Sequence, residues 1–305
     1  MTRVAVVDVG TNSTRLLVAD VVDGAVQELD RRSIVTRLGQ GLEASGRLGD
    51  EPQARVFRAL DEYAEAMDGH GAGVRTAVLT SAVRDAANGD EFTATVRERY
   101  GLDAETISGD EEARLTYLGA TVARDRSDPS TLLVVDIGGG STELVAGSAG
   151  EVRFHVSTQV GVVRHSERHL EHDPPKPQEL DALAADARET LAAALPGEVR
   201  DAVEHVVAVA GTATMTAAMD LRLEPYDSAA VEGHVLPIAT LRRQLEQLAS
   251  VPLAERRGIP GLHPDRAPTI VAGVAILLEV LGLVGAEQVQ VSDRDILWGR
   301  ALDAV

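Results

Sequence analysis

VVDIGGGSTELV, residues 134–145, sets three consecutive glycines between an apolar run and the triplet Ser141-Thr142-Glu143. VVDVGTNSTRLLV, residues 6–18, repeats the arrangement: two valines, an aspartate, an apolar residue and a glycine, then small polar residues, Ser-Thr and a second apolar run. Asp8 and Asp136 stand 128 positions apart, so the repeat has the size of a domain. Glycines lack Cβ, which lets a backbone turn sharply and aim successive N–H groups into one concavity. Gly138, Gly139 and Gly140 are expected to use backbone angles closed to other residues and to hold phosphate oxygens without a lysine. Gly10, Thr11, Asn12 and Ser13 are expected to do the same in the other half, adding hydroxyl and amide donors. Two such loops suit a phosphoanhydride better than a single phosphate. Asp8 and Asp136, each at a strand end, would then face the phosphates, where carboxylates make sense if Mg²⁺ sits between. A tight hairpin with no ligand explains either loop taken alone; the aspartate-ended strand in both halves favours phosphate.

Working outward, the order of elements also repeats. Short β-branched runs at 3–9, 14–22 and 25–36 predict a three-stranded meander. Helices over 52–69, 90–100 and 110–124 alternate with strands at 75–80 and 104–107. RDRSDPS, residues 124–130, is polar and reads as the connection between a domain of residues 1–127 and one of residues 128–305. The pattern restarts with strands at 131–137, 142–147 and 151–157, a helix at 177–195, a strand at 205–210 and a helix from Thr212. A strand at 287–292 and a last helix from Asp293 follow, with helices at 237–249 and 266–283 inserted before them. This is an α/β fold, a ribonuclease-H-like unit present twice.

Composition narrows the partners. The 305 residues carry 29 Lys+Arg against 48 Asp+Glu, a net charge of −19, which argues against nucleic-acid or anionic-membrane binding. Lys176 is the one lysine and no G-x-x-x-x-G-K-[ST] occurs, so a P-loop NTPase is excluded. The absence of cysteine removes disulfides and thiolate chemistry and is compatible with a cytoplasmic location. No uninterrupted apolar window predicts a transmembrane helix.

DVGTNSTRLLV (8–18), TSAVRDAANG (80–89), ISGDEEARLTYLGA (107–120), DIGGGSTELV (136–145), AGTATMTAA (210–218), EGHVL (232–236) and APTIVAGVAIL (267–277) follow one another in a recognisable order. The chain resembles the exopolyphosphatase and guanosine pentaphosphate (pppGpp) phosphohydrolase family, within the actin, Hsp70 and sugar-kinase superfamily. The resemblance implies two ribonuclease-H-like domains with a cleft between them and hydrolysis of a terminal phosphoanhydride of polyphosphate or pppGpp. A homodimer is also expected from it. Glu112 matches the family's catalytic base and Glu143 its second cleft carboxylate. Glu143 and Asp136 make the best metal pair, with Asp8 a third candidate.

The residues agree with those roles. Ser108 caps a helix whose first turn holds Asp110, Glu111 and Glu112, where a carboxylate can orient a water. Glu111 points about 100° away around the helix and reads as a surface residue. Arg84, and less strongly Arg15, are candidates for phosphate contact, since a guanidinium can bind oxygens in pairs. Ser141 and Thr142 extend the glycine loop; Gly211 and Thr212 open a helix after an apolar strand, a further anion site. His234 is a candidate for a phosphate hydrogen bond. His165, His169 and His172 fall on one helical face and read as solvated rather than metal-binding. The tail SDRDILWGRAL (292–302) departs from the family's wording, and the helical extension of longer members is lacking, so short polyphosphates are expected. Two rival functions remain: an ATP-dependent kinase, which Ala210-Gly211 in place of a Gly-Gly pair disfavours, and a non-enzymatic actin-like scaffold, which leaves Glu112 unexplained.

Overall fold

The computed structural model describes residues 1–125, 127–148 and 151–305. Residue 126, in the middle of the expected connection 124–130, lies outside them. The chain divides into two compact units, residues 1–122 with 295–305, and residues 123–294.

In the first unit β1 (Thr2–Val9), β2 (Ser13–Val22) and β3 (Ala25–Val35) form the expected meander. The short helix α1 (Leu42–Ser45) and α2 (Asp50–His70) lead to β4 (Val74–Leu79), which lies parallel to β1. α3 (Ser81–Asp85), α4 (Gly89–Tyr100), β5 (Asp103–Thr106) and α5 (Gly109–Ala120) follow. The strand order, among the described residues, is β3-β2-β1-β4-β5. β1 is apolar at nearly every position because both faces of the sheet are covered. Ala5, Val7 and Val9 pack with Leu16, Leu60, Tyr63 and Phe92 on one face.

On the other face Val4, Val6, Leu17 and Ala19 pack against Leu297, Trp298 and Ala301 of the last helix, α14 (Ile296–Asp303). That helix was expected in the second domain. Its apolar side is the only cover for half of β1 and β2 among the described residues, so it belongs with the first unit. The unit boundary accordingly falls after Val122, not after Ser127. α14 also crosses α5 closely: a Cβ at Gly119 would fall 2.7 Å from the Asp295 carbonyl carbon and 2.9 Å from Gly299 N, and one at Gly299 2.6 Å from that of Leu115.

The second unit restarts with β6 (Leu132–Ile137), β7 (Thr142–Ser148) and β8 (Glu151–Thr158). α6 (Val162–His169), α7 (Pro177–Ala194), α8 (Gly197–Ala202), β9 (His205–Val209) and α9 (Ala210–Leu221) come next. α10 (Ser228–Val231), β10 (Val235–Pro237), α11 (Ile238–Ser250), α12 (Leu253–Arg256), α13 (Ile270–Leu283) and β11 (Gln288–Val291) complete it. The strands run in the order β10-β11-β9-β6-β7-β8, with β9 parallel to β6 and β11 parallel to β9. Leu133, Val135, Leu144 and Ala208 meet Leu183, Leu191, Ala217 and the apolar helix α13 in one core. Among the described residues no helix is long and apolar enough to cross a membrane.

Candidate active site

Both Asp-to-glycine loops are built alike. Gly10 N–H donates to Ser13 O at 2.9 Å, and Gly138 N–H donates to Ser141 O at 2.9 Å. None of these loop glycines takes a left-handed φ, contrary to the expectation from their number. At Gly10 and Gly138 the absence of a Cβ serves close approach instead. A Cβ at Gly10 would sit 3.0 Å from Ser13 O, and one at Gly138 3.1 Å from Ser141 O.

In the second unit the loop's carbonyls are taken up from behind by α6. Val162 N–H donates to Gly138 O at 3.0 Å and Val163 N–H to Gly139 O at 2.8 Å. Arg164 Nε donates to Gly140 O at 3.0 Å. Gly161 permits this approach, because a Cβ there would lie 2.5 Å from Gly139 O. Held by their carbonyls, Gly139 and Gly140 keep N–H groups that meet no acceptor among the described residues, the requirement for an anion nest. In the first unit Gly39 N–H donates to Thr11 O at 2.9 Å and Arg37 N–H to Asn12 O at 2.9 Å. The Asn12 side-chain amide is buried, with neither Nδ2 nor Oδ1 hydrogen-bonded among the described residues. A buried amide left this way costs free energy unless a ligand completes it.

The two loops differ in the residue facing the aspartate. Asp8 pairs across the strands with Arg15, and Asp136 pairs with Glu143. Arg15 donates to Asp8 Oδ2 through Nε at 2.9 Å and Nη2 at 2.7 Å, and its Nη1 reaches Asp295. Arg15 is thus engaged by carboxylates, and the charge of Asp8 is matched inside its own unit. Asp136 and Glu143 bring two buried carboxylates opposite one another, which is destabilising on adjacent strands unless a cation or proton intervenes. Ser157 Oγ donates to Glu143 Oε1 at 2.7 Å and fixes its orientation. The pair fits a hard divalent cation, which takes carboxylate oxygens.

Glu112 lies in the first turn of α5, buried, with Ser108 Oγ capping the helix by accepting from Glu111 N–H at 3.1 Å. Arg84 Nη1 contacts both Glu112 Oε2 and Ile107 O at 3.0 Å. The sequence offered Arg84 as a phosphate contact; the structure puts one of its guanidinium nitrogens on the candidate base. Glu111 turns outward to Arg114, as the helical spacing predicted.

Other expected contacts resolve differently. Thr142 Oγ1 donates to Val160 O at 2.7 Å and braces the hairpin. His234 Nε2 lies 2.9 Å from Asp220 Oδ2 near the end of α9. Gly211 and Thr212 occupy the first turn of that helix, roughly 12 Å away by helical rise, so His234 does not join them. His165 is 1% exposed, not solvated.

A family model described as the Ppx/GppA phosphatase family matches residues 17–298. This chain belongs to the Ppx/GppA family. It is 39% identical over 316 aligned residues to Exopolyphosphatase 2 of Mycobacterium tuberculosis, covering 99% of this chain and 98% of that protein. The solved structure of an exopolyphosphatase-like protein superposes with a TM-score of 0.92 at 33% identity, covering 99% and 97% of the two chains. The Aquifex aeolicus Ppx/GppA family member gives 0.81 at 30% identity, again over 99% and 97%. Each of the two units has the ribonuclease-H-like strand order that the repeat predicted.

Two features of this Ppx/GppA chain escaped sequence reasoning. Arg266 lies over Gly211, where a Cβ would fall 2.5 Å from its Nη1. Ala210, just before, holds φ at 60°, a left-handed conformation that costs a non-glycine residue about 1–2 kcal/mol. No local signal joins positions 55 apart.

Proposed function

We propose that this chain is a phosphoanhydride hydrolase that releases terminal phosphate from inorganic polyphosphate, with the 5′ phosphate of pppGpp as a second substrate of the same chemistry. The observation that carries the reading is the buried Asp136–Glu143 pair beside a loop with two uncommitted N–H groups. Family membership and the similarity to Exopolyphosphatase 2 support polyphosphate as substrate.

In this reading Gly139 and Gly140 N–H bind phosphate oxygens in the second unit, and Thr11 N–H with the Asn12 amide does so in the first. Asp136 and Glu143 would hold Mg²⁺, which when bound offsets charge on the phosphate oxygens. Glu112 accepts the proton of the attacking water. As the water oxygen bonds to the terminal phosphorus, the bridging P–O bond breaks and its electrons leave with the shortened chain. Arg84, bound to Glu112 through Nη1, holds that carboxylate in place. The test is phosphate release from polyphosphates of defined length, pppGpp and ATP, with and without Mg²⁺. Release from polyphosphate or pppGpp that needs the ion is expected. Transfer from ATP to an acceptor, with no hydrolysis of polyphosphate or pppGpp, would replace the hydrolase with a kinase.

A further inference from the structure

α6 carries His165 and His169 one turn apart, and α7 brings Asp186 to them. His169 Nε2 lies 2.7 Å from Asp186 Oδ2, and His165 Nε2 lies 3.7 Å from the same oxygen. The three ligand atoms all fall within 4.8 Å of one another. A tetrahedral metal with bonds near 2.0–2.1 Å sets its ligands about 3.3 Å apart, between the two distances seen. The second, independent observation is His165 itself. It is 1% exposed, and its Nε2 has no hydrogen-bond partner among the described residues. A buried ring nitrogen directed into a carboxylate-bearing cluster without a bond to make is a ligand atom awaiting its ion.

We propose that His165, His169 and Asp186 form a second metal site, separate from the Asp136–Glu143 pair and selective for an imidazole-seeking divalent ion such as Zn²⁺. Two imidazoles and one carboxylate suit Zn²⁺ and are poor ligands for Mg²⁺. Three protein ligands leave one position for water. Arg168 Nη1 lies 3.1 Å from Asp186 Oδ2, on the side a cation would approach. Its side chain is 40% exposed and can turn to solvent on loading. Gly161 N–H approaches His165 Nδ1 at 3.3 Å. A metal on Nε2 puts the ring proton on Nδ1, so loading gives up this long contact. Gly161 is the residue packed on Gly139 and Gly140, so occupancy changes the support of the glycine loop.

The test is Zn²⁺ binding by the full chain in competition with a chromophoric chelator, in excess Mg²⁺ to fill carboxylate sites. One tight Zn²⁺ per chain is expected. His169→Ala, on a partly exposed side chain, should weaken it by more than the roughly 10- to 100-fold that disturbing a ligand's support costs. His172→Ala should bind like the native chain, although His172 has its own acidic neighbours Glu171 and Glu179. Thermal melts of both variants without Zn²⁺ confirm folding. No stoichiometric binding by the native chain, native-like binding by His169→Ala, or loss in His172→Ala would each overturn the site. Because the readout is binding, its failure leaves the proposed hydrolysis untouched.

Discussion

Substituting Gly299 by alanine should silence the enzyme from a distance. The added Cβ would lie 2.6 Å from the Leu115 carbonyl carbon and 3.0 Å from its Cα, and closer still to the oxygen. Carbon contacts relax only near 3.5–4.0 Å, so α14 and α5 must part by roughly 1 Å. Backbone on both sides leaves no side chain to yield. Overpacking of this kind costs about 1–3 kcal/mol. Glu112 lies one turn before Leu115 on α5 and moves with it. A displacement of about 1 Å at a reacting group lowers rates on the order of 100-fold. The expected result is a lowered melting temperature with kcat for phosphate release down by that factor. Gly282→Ala is the control, since a Cβ there meets nothing within 4 Å; it should leave kcat unchanged. A Gly299→Ala protein that melts lower yet keeps native kcat would show that α14 does not set the position of Glu112.

Glu112→Gln keeps the shape and cannot take a proton, so kcat should fall by about 10²–10⁴ with the fold intact by circular dichroism; near-native turnover would remove Glu112 as the base. Asp136→Asn should raise the Mg²⁺ concentration for half-maximal rate, and Asp8→Asn should raise it much less because Arg15 already matches Asp8. Equal shifts would spread the metal role over both units, and activity surviving exhaustive chelation would end it. His165 is lowered from 6.5 to about 4 by burial, so the unfolded chain binds the extra proton first. Its contribution is present above pH 6.5 and drains away as pH falls towards 4; a denaturation series should show this slope flattened in His165→Asn, and an unchanged slope would contradict it.

The repeat, the meanders and the capped helix carrying Glu112 were legible because each rests on neighbours in sequence. Apolar alternation marks the strands, Ser108 marks the helix start, and aspartate followed by glycine marks the loops. The cross-strand partners were also within reach, since Asp8 to Arg15 and Asp136 to Glu143 span loops of the same length. Counting across each hairpin gives the residue that faces each aspartate. The unit that receives α14 was not legible, because element order says nothing of which sheet face lacks cover. Nor was the burial of His165: a three-histidine stripe reads as polar until Gly161 draws the start of α6 against the glycine loop. The contact of Arg84 with Glu112 was not legible either, because the two lie 28 residues apart.

The return of α14 to the first unit has a consequence for the order of assembly. A ribosome finishes residues 1–122 long before it reaches Asp295. At synthesis rates of roughly 5–20 residues per second the wait is about 10 to 35 s. During it Val4, Val6, Leu17 and Ala19 have no cover from Leu297 and Trp298, and Arg15 has Asp8 but not Asp295. The second unit, although contiguous in sequence, needs β11 between β10 and β9 and closes only shortly before α14 is made. The usual amino-first sequence of domain completion is therefore lost: both units are completed together, at the end of synthesis. Exposed sheet in that interval is a target for chaperones, and a ribosome stalled before codon 295 would present a protein whose first strands are still open.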